Sequence, residues 1–239
     1  LFVGGKADLY LAQGIEKIQS MQLRDGGFSF WPGTDWSSDW GSIYAANFLV
    51  EARKAGYNVP DRVYQRMLSF LNRLVKKTLE GPWTLQLRVY ALYVLSLAGQ
   101  PQLSSMAYLR NQRLSDLFTY SRAQLAAAYH YAGDKKTARE LMPNTFAPST
   151  LKREKGGNFN SAIRSDAIIL GVLADTDPAN PAVAKLIQRL ASEAEAGHWY
   201  TTQENAFAFM ALGKAFQQKQ ASAYTGEVLV NGQRIATFD

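Results

Sequence analysis

Apolar residues recur along most of the chain at steps of three and four positions, which is the spacing of one buried face of an α-helix. The stretch 83–98 is apolar almost all round, which predicts a deeply buried helix. Glycine and proline separate the stretches, as at Gly81-Pro82. The pattern predicts about ten helices, over 6–23, 40–55, 61–79, 83–98, 102–111, 115–132, 134–142, 162–175, 180–196 and 201–219, with the longest loop at 143–161.

The predicted helices alternate between charge-poor segments and more polar, charge-bearing ones. Such alternation is what an α/α toroid or an open α-solenoid requires, because each helical hairpin buries its inner face only against its neighbours. No fixed-period consensus can be aligned along the chain, which favours the closed toroid over the solenoid. The predicted fold class is therefore all-α, an α/α toroid of alternating inner and outer helices.

The C-terminal end departs from the helical pattern. Two short β-type runs, 227–230 and 234–238, flank Asn231-Gly232, which is a strong signal for a two-residue hairpin turn. A hairpin alone is marginally stable, so it is expected to begin or edge a β-domain. The predicted domains are a helical toroid over 1–220 and the start of a β region over 221–239.

The amino-acid composition excludes several kinds of chemical site. The 239 residues contain no cysteine, which excludes disulfides, thiolate metal sites and a cysteine nucleophile among them. Two histidines, His130 and His198, offer little material for a metal site or a hydrolase triad. No nucleotide-binding or hydrolase motif occurs. We therefore predict no catalytic residues, no metal and no cofactor.

Charge and hydropathy indicate no nucleic acid or membrane. The net charge of +6 is modest for this length, and the basic stretch 152–155 has no interleaved aromatic residues, so it is interpreted as a solvated loop. The longest strongly apolar stretch, Tyr90 to Gly99, is about half of what a bilayer needs. No nucleic-acid partner and no membrane span are predicted.

One carboxylate pair has both a catalytic and a structural interpretation, and one further acid has a structural interpretation. Asp35 and Asp39 could act as an acid and a base, as in glycosidases with an α/α toroid. The simpler interpretation is that they lie at a loop and a helix start, where capping and the helix dipole favour acids. Thr201 and Glu204 have the spacing of a capping box, which explains both residues without chemistry.

An aromatic cluster between positions 28 and 40 is the most unusual local feature, with three of the five tryptophans inside ten residues. Trp31, Trp36 and Trp40 form a candidate interaction surface for protein or carbohydrate. The alternative interpretation is that these tryptophans wedge the mouth of the toroid and tie helix ends together.

Four segments in order carry a resemblance to one family: MQLRDGGF at 21–28 with WPG at 31–33, WGSIYAANFLVEARKAGY at 40–57, GNF at 157–159 with IRSDA at 163–167, and TTQENAF at 201–207. Together they resemble the thioester-containing domain of bacterial alpha-2-macroglobulins. A short Gln-x-x-Asp-Gly run also resembles repeats of terpenoid cyclases, which share the α/α toroid. The resemblance covers essentially the whole chain, and in that family the last helix runs into strands of a CUB-like domain.

The resemblance implies a non-catalytic part of an endopeptidase inhibitor, typically a periplasmic lipoprotein, that traps proteases after cleavage of a bait region. Its expected partners are proteases, through the intact parent protein, and other domains of the same chain. The family's Cys-x-Glu-Gln thioester motif would lie upstream of Leu1, so no thioester residue is carried over.

Two alternatives stay open at the level of sequence. One is an α/α-toroid enzyme acting on polysaccharide or a terpenoid, although the cyclase motif Asp-x-Asp-Asp is absent. The other is a protein- or glycan-binding scaffold that uses the surface of Trp31, Trp36 and Trp40.

Overall fold

The computed structural model describes residues 4–77, 81–143, 145–219, 226–230 and 233–238. Within these residues the chain is all-α apart from two short strands, and the prediction of about ten helices at these places is confirmed. The helices are α1 Gly4–Ser20, α2 Asp39–Lys54, α3 Asp61–Leu74, α4 Pro82–Leu97, α5 Leu103–Gln112, α6 Thr119–Tyr131, α7 Lys135–Leu141, α8 Ala162–Thr176, α9 Ala182–Glu195 and α10 Thr202–Lys219.

The chain divides into two compact units, Leu1–Ser161 and Ala162–Asp239. In the first unit, α4 packs against α2, α3, α5 and α6, and its central residues 89–95 are buried on all sides, as its continuous apolar sequence predicts. In the second unit, α8 packs against α9 and α10. A Cβ at Gly171 on α8 would lie 3.7 Å from the Cβ of Ala211 on α10, an ordinary van der Waals contact.

The predicted helix 115–132 is wrong at its beginning. A single 3-10 turn covers Leu114–Asp116, and α6 begins only at Thr119. The side chain of Gln86 on α4 causes the break: its Nε2 donates to the carbonyl of Asp116 at 3.0 Å, and its Oε1 accepts from the N–H of Phe118 at 3.2 Å. These backbone groups are therefore satisfied by a distant side chain instead of by a continuous helix.

Two strands follow the last helix: β1 Gly226–Val230 and β2 Gln233–Phe238. They pair antiparallel, from Gly226 opposite Phe238 to Val230 opposite Gln233, with an irregularity after Val228. The Asn231-Gly232 turn that was predicted to join them lies outside the described residues. The predicted domain boundary at 220–221 and the following β-domain stay predictions.

Candidate functional site

A tight turn closes α1 and carries the aromatic cluster. Gln22 and Phe28 form an isolated antiparallel bridge, and the N–H of Leu23 donates to the carbonyl of Gly27 at 2.9 Å. The side chain of Asp25 accepts from the N–H of Gly27 at 3.0 Å through Oδ1. We call residues 22–28 the glycine turn. The turn is therefore closed by hydrogen bonds among its own residues, in addition to those that it makes with neighbouring helices.

Helix α3 fixes the glycine turn from the other side. Gln22 Nε2 donates to the carbonyl of Val63 at 2.9 Å. Arg66 Nη2 donates to the carbonyl of Leu23 at 2.5 Å, and Arg73 donates to the carbonyl of Asp25. Two guanidinium groups of one helix thus bind two carbonyl oxygens of one turn, and charge-assisted hydrogen bonds of this kind are among the stronger ones in proteins.

The two glycines of the turn are required by this close approach. Gly26 has a φ of +90°, and a Cβ at that position would lie 2.3 Å from the carbonyl oxygen of Arg66. A Cβ at Gly27 would lie 2.6 Å from the Cβ of Ser37 and 2.7 Å from the ring of Phe70. Side chains do not fit at either position without displacing α3 or the following loop.

The loop after the glycine turn comes back to that turn at the start of α2. Ser37 Oγ donates to Asp25 Oδ2 at 2.7 Å, and the N–H of Ser38 donates to the carbonyl of Phe28 at 3.0 Å. Ser38 is also the N-cap of α2, because its Oγ accepts from the N–H of Gly41 at 3.1 Å. The N–H of Phe28 donates to Ser42 Oγ at 2.7 Å. Residues 29–36 therefore project from a base that is fastened at both ends.

The structure separates the three predicted tryptophans into two groups. Trp31 and Trp36 are 71% and 58% exposed, and neighbouring Phe30 is 42% exposed. Trp40 is only 5% exposed and stacks on Tyr44 with ring centroids 5.0 Å apart. Trp31 and Trp36 can contribute to an interaction surface, whereas the indole of Trp40 is part of the interior.

Sequence reasoning missed the residue that packs on Trp40 from the long loop. The ring centroids of Phe159 and Trp40 lie 4.7 Å apart. Phe159 has a φ of +53°, which is rare for a bulky residue. Hydrogen bonds on either side fix this conformation. Asn158 Nδ2 donates to the carbonyl of Trp83 at 3.0 Å, and both the N–H and the Nδ2 of Asn160 donate to Glu154 Oε2 at 3.1 Å.

The segment Lys152–Lys155 is consistent with the solvated loop that the sequence indicated. Lys152, Arg153 and Lys155 are exposed. Glu154 closes the loop on Asn160 with both its backbone and its side chain. Its N–H donates to the carbonyl of Asn160 at 2.8 Å, and its Oε2 accepts from the N–H and the Nδ2 of Asn160 at 3.1 Å. The positive charges thus face solvent around a loop that is closed by its single acid.

The candidate pair Asp35 and Asp39 lies in the loop before α2 and in the first turn of that helix. Asp35 is exposed, and Asp39 lies in the first turn of α2 with Oδ1 3.8 Å from Lys77 Nζ. Asp35 is thus open to solvent, and Asp39 is part-exposed beside a lysine. Among the described residues, no group of three acidic, histidine or cysteine side chains is placed to hold a metal ion.

The two histidines lie in different units. His130 is partly exposed beside the ring of Tyr131 at 5.7 Å between centroids. His198 follows α9, and its Nδ1 lies 2.8 Å from Glu193 Oε2. In the same unit the predicted capping box is confirmed: the N–H of Glu204 donates to Thr201 Oγ1 at 3.1 Å, and Glu204 Oε2 accepts from the N–H of Thr201 at 3.1 Å.

The second unit also contains a buried ion pair. Arg189 Nη2 lies 3.0 Å from Asp166 Oδ1, and Asp166 is 7% exposed. Burial raises the pKa of Asp166 to about 6, although the charge of Arg189 lowers it and that of Glu193 raises it further. A raised carboxyl pKa often marks a functional position, but structural ion pairs produce the same shift.

None of the helices in the described residues combines the length and the apolar composition that a membrane crossing requires. The described part of the first unit is thus a helical domain with exposed aromatic side chains on the loop 29–36, which we call the aromatic loop.

The chain is homologous to a segment of the bacterial alpha-2-macroglobulins, which confirms the resemblance inferred from its four motifs. It is 27% identical over 238 residues to the alpha-2-macroglobulin of Xylella fastidiosa, a match that covers 92% of this chain and 14% of that protein. With the alpha-2-macroglobulin of Escherichia coli it shares 25% identity over 209 residues, covering 83% of this chain and 13% of that protein.

A solved structure gives the same result. A mutant Salmonella alpha-2-macroglobulin matches 100% of this chain with a TM-score of 0.82 and 26% identity, and the match covers 16% of that chain. No protein-family model matches the sequence. The chain therefore spans about one seventh of the length of these relatives.

Proposed function

We propose that this chain forms most of the thioester-like α/α-toroid domain of a bacterial endopeptidase inhibitor of the alpha-2-macroglobulin type. The intact protein would trap a protease after cleavage of its bait region, and this segment would take part without catalysing a reaction. The observation that carries the proposal is the match of nearly the whole chain to one segment of such proteins, in sequence and in structure.

The closed toroid is part of this proposal. Its support is the alternation of buried and amphipathic helices along the chain. Helices α4, α6 and α8 are mostly buried along their length, and α2 exposes only Arg53 and Lys54 at its end, whereas α3 and α9 bury one face and expose the other. Such alternation suits inner and outer layers of helical hairpins.

Thioester chemistry, if the parent protein has it, comes from residues outside this chain. A Cys–Gln thioester needs a cysteine, and the 239 residues contain none. The role proposed for this segment is therefore to support and position. Its location, by the same family resemblance, is the periplasm or cell envelope, as part of a lipoprotein.

We further propose that Trp31 and Trp36 contact a partner, either another domain of the parent protein or the trapped protease. Two features support this role. Both indoles are largely exposed, and the loop between them is fastened at Phe28 and Ser38, so little conformational entropy is lost when they are covered. Aromatic residues on rigid loops are frequent centres of protein interfaces.

The test uses the full-length parent protein incubated with a protease that cleaves its bait region. We expect the protease to migrate with the inhibitor on a native gel and to lose access to large substrates. If the bait region is cleaved but the protease stays free in solution, the trapping function is wrong for this protein. Treatment with methylamine before the protease shows whether a thioester contributes to retention.

The tryptophan surface is tested in the same assay with the double variant Trp31→Ala/Trp36→Ala. Tyr10→Ala is the matched control, because Tyr10 is also an exposed aromatic, at 67%. We expect the double variant to lower protease retention or to change the rate of the conformational response, while the control behaves as wild type. If the wild type, the double variant and the control retain protease equally, Trp31 and Trp36 do not form a contact surface for a partner. The proposed trapping function would be unaffected by that result.

A further inference from the structure

The longest loop of the chain contains a stretch without regular backbone structure. Residues 145–154 form neither helix, strand nor turn, and none of them is buried. Within this stretch the N–H of Leu151 donates to Ser149 Oγ at 3.3 Å, a contact between two residues of the stretch itself. We call residues 145–154 the irregular segment. No helix or strand has to be taken apart before this segment can become extended.

Backbone conformation determines where a protease cuts a folded protein. An endopeptidase binds its substrate in an extended conformation on both sides of the bond that it hydrolyses, in the way that a peptide adds a strand to a sheet edge. A helical residue can be bound like this only after the helix opens, so cleavage of native proteins is concentrated in exposed loops. The residue before the bond must also fit the specificity pocket of the protease, and a pocket that carries a carboxylate selects lysine or arginine.

Most basic residues in the described part of the chain lie in helices, which protect the adjacent peptide bonds. Lys135 and Lys136 are an instructive pair, because they are adjacent and both are exposed in the first turn of α7. That turn is capped by Asp134, whose Oδ1 accepts from the N–H of Thr137 at 3.0 Å. Exposure and charge alone therefore do not make this pair accessible to a protease.

Basic residues in turns are held by backbone hydrogen bonds as well. The N–H groups of residues 76–77 donate to carbonyls of α3, and that of Arg113 donates to a carbonyl of α5. Arg24 lies inside the glycine turn, which its own hydrogen bonds close. The irregular segment differs from all of these places, and its two basic residues, Lys152 and Arg153, are both exposed.

The closed loop that follows the irregular segment selects one bond. Both the N–H and the side chain of Glu154 bind Asn160. The bond between Arg153 and Glu154 contains this N–H, and Lys155 lies inside the closed loop, so cleavage after either basic residue requires the loop to open first. The bond between Lys152 and Arg153 lies one residue before the closed loop. It is therefore the bond that a protease reaches with the least rearrangement.

We propose that the irregular segment is a cleavage site for endopeptidases of basic specificity, with Lys152 in the specificity pocket. The protease hydrolyses the peptide bond between Lys152 and Arg153: water adds across this bond, Lys152 gains the new carboxylate and Arg153 gains the new amino group. The side chain of Lys152 is exposed and can enter such a pocket without leaving an interior position. Further upstream, Pro148 keeps Ala147 out of the helical region, which favours the extended conformation that the protease binds.

The two fragments should stay associated after the cut. The closed loop is fastened to the first unit by contacts that do not involve the irregular segment. Asn158 Nδ2 donates to the carbonyl of Trp83 at 3.0 Å, and the hydroxyl of Tyr120 donates to Asn160 Oδ1 at 2.8 Å. Hydrolysis of a bond outside this loop leaves these contacts in place, so separation of the fragments would require a denaturant.

The test treats the intact parent protein briefly with a low concentration of trypsin, labels the new amino termini and identifies them by mass spectrometry. Only termini within residues 1–239 are compared. We expect the terminus at Arg153 to appear first. The bonds after Lys135 and Lys136 are an internal control of equal charge in a helical backbone, and they should be cut later. The fragments should migrate together on a native gel and separately in sodium dodecyl sulfate.

Lys152→Gln tests whether this residue occupies the specificity pocket. We expect the first cleavage within residues 1–239 to become slower by at least about tenfold, because the carboxylate of the pocket is left without its charged partner. Lys136→Gln is the matched control and should leave the rate of cleavage after Lys152 unchanged. Cleavage of Lys152→Gln at the wild-type rate, or a first cut after Arg153, Lys135 or Lys136 in the wild type, would overturn the proposal. The trapping function is tested separately, because protease retention after bait cleavage does not depend on this bond.

Discussion

Replacing Gly26 by alanine tests the claim that the glycine turn is shaped by contact with α3. Two costs arise. At a φ of +90° an alanine loses about 1–2 kcal/mol because its Cβ crowds the backbone in the left-handed region. In addition, the new Cβ would lie 2.3 Å from the carbonyl oxygen of Arg66, a backbone atom in the middle of a helix that cannot rotate away.

The second cost can be isolated with Gly33, which lies in the aromatic loop. Gly33 also has a positive φ, +80°, but a Cβ there would meet nothing within 4 Å. Gly33→Ala should therefore show only the backbone cost of about 1–2 kcal/mol. Overpacking against a rigid neighbour adds roughly 1–3 kcal/mol, so Gly26→Ala should lose about 2–5 kcal/mol in total.

The assay is urea denaturation of both variants and the wild type, followed by far-UV circular dichroism, with the midpoint and slope compared at one pH. We expect a clearly lower midpoint for Gly26→Ala than for Gly33→Ala. If the two variants differ by less than about 0.5 kcal/mol, the close approach of α3 does not constrain the turn and the reasoning is refuted.

Three further predictions concern other contacts. Gln86→Leu leaves the N–H of Phe118 without its side-chain acceptor, so the free energy of unfolding should fall by roughly 1–3 kcal/mol in urea denaturation. Thr201→Ala removes the cap of α10 and should cost about 1 kcal/mol, while Thr201→Ser should behave as wild type. Asp166 has a folded-state pKa of about 6, above its ordinary value of 3.8, so the folded state binds more protons than the unfolded state between those values. Its contribution to stability should therefore fall as the pH rises from about 4 to 6, and Asp166→Asn should flatten that dependence in denaturation curves at pH 4, 5, 6 and 7.

Most helices could be predicted because their signals are local. Apolar spacing places α2 through α4 and α8 through α10 within a few residues, and Gly56, Gly81 and Gly99 mark turns with positive φ. The break before α6 could not be predicted, because it depends on Gln86, whose partners lie 30 residues and more further along the chain. A helix boundary set by a distant side chain leaves no trace in local periodicity.

The aromatic loop shows the same division between local and tertiary information. Its composition identified Trp31, Trp36 and Trp40 as unusual, but the sequence could not show that only Trp40 is buried. Burial of Trp40 depends on Phe159, more than a hundred positions away and in a backbone conformation that a bulky residue rarely adopts. The ion pair of Asp166 and Arg189 was missed for a related reason, since the two residues come together only when α8 packs on α9.

The unequal burial of Trp31, Trp36 and Trp40 provides an internal optical reporter in a variant in which the two other tryptophans, Trp83 and Trp199, are replaced by phenylalanine. Trp31 and Trp36 face water, so their fluorescence should be red-shifted and readily quenched by iodide, whereas emission from Trp40 should be blue-shifted and protected. Covering the aromatic loop would move the first population without changing the second. Binding to this surface could thus be followed without a label, and a change in Trp40 would report instead that the contact with Phe159 had opened.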